Sequence, residues 1–92
     1  MKYFAVLLPM KDVAKSKEFR PQHLKFLEEM RNTGKVVANG KFTDGSGGLV
    51  IYKAESRQAC EALVKEDPYV AGSARKYEIF EWDASWANEY EK

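Results

Sequence analysis

The chain is poor in the residues that metal, redox and disulfide chemistry need: its 92 residues include one cysteine, Cys60, and one histidine, His23. A single thiol closes no disulfide within the chain, and one imidazole with one thiol makes no spaced ligand set, so neither a metal nor a cofactor is expected. An excess of one charge is also missing. Fifteen Lys and Arg stand against fourteen Asp and Glu, mixed along the sequence, which leaves no electrostatic footprint for a polyanion and argues against nucleic acid or an anionic membrane surface as partner. Long apolar runs are absent as well: Phe4-Ala5-Val6-Leu7-Leu8 falls far short of the roughly 18–20 residues of a membrane span. The N-terminal stretch lacks a small-residue cleavage site, and the expected location is cytoplasmic.

What the chain has is enough to fold. It is 45% hydrophobic and 32% charged, with 13% aromatic residues, the balance of one small globular domain. Residues 3–8 form a strand-like run ended by Pro9. Residues 10–19 show neither helical nor alternating apolar period and read as a loop. Pro21 suits the first turn of a helix predicted over 21–33, which Gly34 stops. Runs at 35–42 and 48–53 are predicted strands, joined by Thr43-Asp44-Gly45-Ser46-Gly47 as a hairpin turn. Ser56 caps a helix predicted over 57–66, ended by Asp67-Pro68. Residues 76–82 make a last strand, after which Asp83 is placed to cap a short helix bearing Trp86 and Tyr90.

The order strand, helix, strand, strand, helix, strand predicts an α+β, ferredoxin-like βαββαβ sandwich: a four-stranded antiparallel sheet with two helices on one face. The first and third strands, continuously apolar at Phe4–Leu8 and Leu49–Tyr52, belong at the centre. Two helices cover one face only, yet Tyr3, Ala5, Leu7, Phe80 and Trp82 give the other face apolar character. A homodimer packed through the open sheet face is therefore expected; the alternative is that residues 10–19 and the aromatic tail fold back over it.

Chemistry has few places to reside. His23 lies near the middle of the arc defined by Leu24, Phe26, Leu27 and Met30 and should point inward, in the first turn of the predicted helix. It is either a hydrogen-bonded structural histidine or a general acid or base, the one side chain that normally titrates near neutral pH. Asp67 is its candidate partner, able to fix the tautomer; otherwise Asp67 is only a cap before Pro68. Cys60 shares an apolar arc with Leu63 and Val64 and reads as an inert buried thiol. Gly45-Ser46-Gly47-Gly48 lacks the Lys-Ser/Thr ending of a phosphate loop, and no nucleotide site follows from it. RNA-binding domains of the same element order stack bases on third-strand aromatics, where this chain has Gly47 and Leu49.

Arg20-Pro21-Gln22-His23-Leu24, Gly34-Lys35, Asn39-Gly40 and Asp67-Pro68-Tyr69-Val70-Ala71-Gly72 together resemble the YCII-related (YciI-like) family over residues 1–83, with 84–92 as a C-terminal aromatic extension. The chain departs from that pattern at Gly40-Lys41, where Gly-Pro is common. The resemblance implies a dimeric ferredoxin-like α+β barrel with His23 and Asp67 as a catalytic pair and Arg20 and Tyr69 as substrate-binding residues; some relatives are dehydrochlorinases of chlorinated hydroquinones. The expected function is a cofactor-free enzyme performing His/Asp acid–base chemistry, elimination or hydrolysis, on a small organic and phenolic substrate. The alternative is a non-catalytic dimeric module that binds a small-molecule ligand.

Overall fold

A computed structural model describes residues 1–87. The elements run β1 (Lys2–Pro9), α1 (Val13–Asn32), β2 (Val36–Lys41), β3 (Gly47–Ala54), α2 (Arg57–Glu66), α3 (Pro68–Ala71) and β4 (Glu78–Glu81). The four strands form one antiparallel sheet in the order β2-β3-β1-β4, so the two continuously apolar strands are central, as their composition requires. This is the α+β, ferredoxin-like arrangement.

Alternation along β1 sends Phe4, Val6 and Leu8 to one face, where they meet Val50, Tyr52 and Ile79 from neighbouring strands and Leu27, Cys60 and Val64 from the helices. Each large apolar side chain sealed there contributes about 1.5–3 kcal/mol. The α2 helix has the expected bounds because Ser56 Oγ accepts the Ala59 N–H at 3.1 Å and supplies its cap.

Three expectations are corrected. Residues 13–20 are helical, not a loop: Asp12 Oδ1 accepts the Lys15 N–H at 3.0 Å, and α1 begins there. Its inner stripe is Ser16, Phe19, His23 and Leu27, and a buried serine hides that period from a count of apolar residues. Pro21 therefore lies inside the helix rather than at its start, and Lys17 C=O receives no N–H from it. Second, Asp67-Pro68 both ends α2 and opens α3, a single turn that brings Gly72 against α1. A Cβ at Gly72 would lie 2.5 Å from Phe19 Cε2, so any side chain there would push the ring from its place. Third, residues 82–87 form no helix: Trp86 instead sits 5.4 Å from the Tyr3 ring and 5.8 Å from Trp82. One isolated turn of helix is marginal in water, whereas aromatic contact on the sheet buries area. Tyr90 lies outside the described residues.

The sheet face opposite the helices carries Ala5, Leu7, Leu49 and Ile51 in register. Phe80, paired with Ala5, is 52% exposed on that face, and Trp82 beyond it is 41% exposed.

Candidate active site

His23 sits midway along α1, not in its first turn as expected, so the positive helix end has no bearing on its charge. Its ring is turned toward the sheet and only 8% of the residue is exposed. Asp67, fully buried, stands where α2 gives way to α3. The two meet: His23 Nδ1 lies 2.7 Å from Asp67 Oδ1. The same oxygen accepts the backbone N–H of Tyr69 at 2.9 Å, so Asp67 is at once the α3 cap and the histidine's partner. The two sequence readings of Asp67 thus describe one side chain.

A carboxylate only accepts, which assigns the proton to Nδ1 and leaves Nε2 with its lone pair. Among the described residues Nε2 makes no hydrogen bond to protein, and Asp67 Oδ2 is the one sealed side-chain polar atom without a partner. Nε2 therefore opens on the cavity that His23 lines.

That cavity, about 400 Å³, lies between α1 and the β2–β3 hairpin. It exists because side chains are missing: Gly48 pairs with Leu8 on the helix-facing side, and Gly40, Gly45 and Gly47 also border the space. Leu8, Leu24, Leu27 and Val50 supply apolar walls. The volume is within the range that holds a small ligand.

Tyr69 forms one side. Its ring stacks on His23, centroids 3.7 Å apart and planes inclined by 12°, and the Arg75 guanidinium lies 4.4 Å from the same ring centre. Two such neighbours occupy opposite faces of the phenol, giving a layered His23–Tyr69–Arg75 arrangement. Arg20 borders the cavity from one turn before His23 and is exposed. Of the four residues expected at the site, Arg20, His23 and Tyr69 border the cavity, and Asp67 is sealed behind the imidazole, outside the lining.

Arg75 also lines the cavity, and sequence reasoning missed it. It is held by Ser16 Oγ at 3.0 Å and Leu8 C=O at 3.3 Å, partners 59 and 67 positions away, and no local signal announces either. Cys60 contributes no nucleophile: burial pushes its thiol up to about 11, so it stays protonated at neutral pH. Burial, with the Asp67 charge adding to it, raises the Tyr52 phenol far above its ordinary range, and it too stays neutral. Among the described residues no group of three His, Cys, Asp or Glu is placed to hold a metal ion.

With this geometry in place, comparison with known proteins is decisive at the level of family. A model of the YCII-related domain matches residues 1–83. The chain belongs to the YCII-related domain family. Among its relatives is an uncharacterised protein of Bacillus subtilis (strain 168), YjpA, 26% identical over 80 residues that span 87% of this chain and 94% of that one. A structure with the same fold is 5-chloro-2-hydroxyhydroquinone dehydrochlorinase (TftG) from Burkholderia phenoliruptrix AC1100, solved in complex with 2,5-dihydroxybenzoquinone. It superposes with a TM-score of 0.76 over 90% of this chain and 95% of that chain, at 18% identity. For this YCII-related chain, that likeness establishes the fold.

Proposed function

We propose that this YCII-related protein is a small cofactor-independent enzyme that moves protons on a hydroxylated organic molecule, in eliminations or hydrolyses of the dehydrochlorinase kind. The observation that carries the reading is the 2.7 Å contact between His23 Nδ1 and Asp67 Oδ1, with Nε2 facing a cavity of about 400 Å³. His23 is the catalytic residue. Its Nε2 takes a proton from a substrate hydroxyl as the O–H pair closes a C=O bond, and the displaced ring C=C pair takes that proton back from the imidazolium at the chlorine-bearing carbon; loss of a second hydroxyl proton then drives out chloride, the C–Cl bond breaking with its electron pair.

Asp67 is a positioning residue that fixes the tautomer and stabilises the imidazolium formed in that step. Tyr69 and Arg20 contact the ligand, one through its ring beside the imidazole and the other from the rim. The neighbour that acts on a chlorinated hydroxyhydroquinone supports this substrate class. The protein works as a homodimer in the cytoplasm, its open sheet face covered by a second copy, a reading that the exposed Phe80 and Trp82 support.

The test is chloride release from 5-chloro-2-hydroxyhydroquinone, with His23→Asn as the control. Turnover that falls about a hundred- to ten-thousandfold in the variant is the expected outcome. A wild-type protein that binds 2,5-dihydroxybenzoquinone at His23, read by the ring's NMR signals, yet turns nothing over would favour a ligand-binding module instead.

A further inference from the structure

We propose that the cavity is built for a small organic carboxylate and that Arg75 is the residue that receives its charge, an inference about substrate class that rests on the reading of His23 above. The first observation is the distribution of charge. The whole chain is nearly balanced at +1, but the cavity is bordered by Lys17, Arg20, Lys41 and Arg75 and by no Asp or Glu. Among the described residues none of these four forms an ion pair. Four uncompensated cations around one concave, partly apolar space raise the local concentration of an anion and strengthen its binding.

The second observation is how Arg75 is held. Its Nε donates to Ser16 Oγ, its Nη1 donates to Leu8 C=O, and its plane lies over Tyr69. These contacts fix the guanidinium from one side. Among the described residues Nη2 donates to nothing, so a preoriented, charged donor edge is left over for a ligand. Ser16 gains its explanation here: a buried hydroxyl on the inner stripe of α1 that accepts from Arg75 while directing its own proton at Met10 Sδ or Ala74 C=O.

The third observation is the company these two groups keep. The imidazole lies 3.7 Å from the Tyr69 ring centre and the guanidinium 4.4 Å from it, so the acid–base group and the anion receptor border one cavity together with the apolar Leu8, Leu24, Leu27 and Val50. A hydroxylated six-membered ring that carries a carboxylate offers a group to each and an apolar face to the walls. An inorganic anion satisfies the charge alone and leaves the apolar walls unused.

The matched probes are 4-hydroxybenzoate and its neutral isostere 4-hydroxybenzamide, with binding measured by calorimetry and the His23 ring followed by NMR. The acid is expected to bind at least about tenfold tighter than the amide, with a preference that weakens as salt is raised and falls below about threefold in Arg75→Gln. Arg75→Lys keeps the charge and Ser16→Ala removes the anchor while leaving the cation; either carries the test should Arg75→Gln fail to fold, and both are expected to retain only part of the preference. Equal binding of acid and amide, no binding of either, or a preference untouched by all three substitutions overturns the proposal. The acid–base reading is judged separately, by loss of turnover in His23→Asn, so either inference can fail without the other.

Discussion

Asp67 Oδ1 lies 2.7 Å from His23 Nδ1 and 2.9 Å from the Tyr69 backbone N, so one oxygen joins the middle of α1 to the start of α3. The other oxygen is sealed and has no partner among the described residues. A buried carboxylate in this state depends on the charge-assisted contacts it has, and the fold and the candidate chemistry share them.

Asp67→Asn separates the two roles. An asparagine oxygen still accepts the Tyr69 N–H and keeps the α3 cap, but it carries no charge to stabilise an imidazolium and can present the wrong hydrogen-bonding sense to Nδ1. Turnover is expected to fall by about a hundredfold or more, with a stability loss of only about 1 kcal/mol, and the pH–rate profile on its acid limb is expected to move. Asp67→Ala, lacking both functions, is expected to cost about 2–4 kcal/mol in urea unfolding. An Asn variant with wild-type turnover and an unmoved profile would remove Asp67 from the mechanism.

His23→Leu tests the same contact from the other side. It leaves a fully buried carboxylate beside an aliphatic group, and removal of one member of a buried pair costs about 3–5 kcal/mol. Urea unfolding reads this out, and His23→Gln, whose amide can still donate to the carboxylate, is expected to lose less than His23→Leu. Equal stability of His23→Leu and wild type would mean that the contact does not support the fold.

How much of this was legible in the sequence follows from where each signal is stored. The central strands were readable because Phe4–Leu8 and Leu49–Tyr52 are continuously apolar in sequence, and the inward turn of His23 was readable because Leu27 and Met30 sit one and two turns on along its face. The first two turns of α1 were not, since their inner face is carried by Ser16 and Phe19 and Pro21 imitates a helix start. The cavity was hidden for a different reason. Gly45, Gly47 and Gly48 read as turn formers and Gly40 as part of a strand, while their second effect, the side chains they omit between α1 and the sheet, exists only in three dimensions. Arg75 depends on Ser16 and Leu8, far away in the chain, and no local periodicity encodes such a contact.

Cys60 gives a pH dependence with a definite sign. Burial pushes its thiol from 9.0 up to about 11, so the unfolded chain releases this proton first. Its stabilising contribution is complete below about pH 9 and is lost as pH rises through about 11, a decrease on the order of 2 kcal/mol. Tyr52, raised by the same burial, adds loss of the same sign above its unfolded value. Urea unfolding at several alkaline pH values is expected to show this fall, with Cys60→Ala flattening its lower part. The thiol is also expected to resist a disulfide reagent at pH 8 until the protein unfolds; prompt reaction of the native protein would contradict the burial.

The open sheet face yields the last prediction. Leu7, Leu49, Ile51 and Phe80 form a contiguous apolar surface, with Tyr3, Trp82 and Trp86 clustered at one end of it. Trp86 covers only its own corner, and Phe80 stays 52% exposed. A stable dimer interface needs about 800 Å² from each partner, and the half-exposed Phe80 and Trp82 start from the uncovered side of the sheet. Sedimentation at about 10 μM is therefore expected to give a dimer. Phe80→Glu, whose carboxylate would be buried without a partner in that contact, is expected to weaken it by at least about a hundredfold and give a monomer that keeps the His23–Asp67 contact. A wild-type chain that sediments as a monomer at that concentration would mean that the aromatic tail, rather than a second copy, is what shields the sheet.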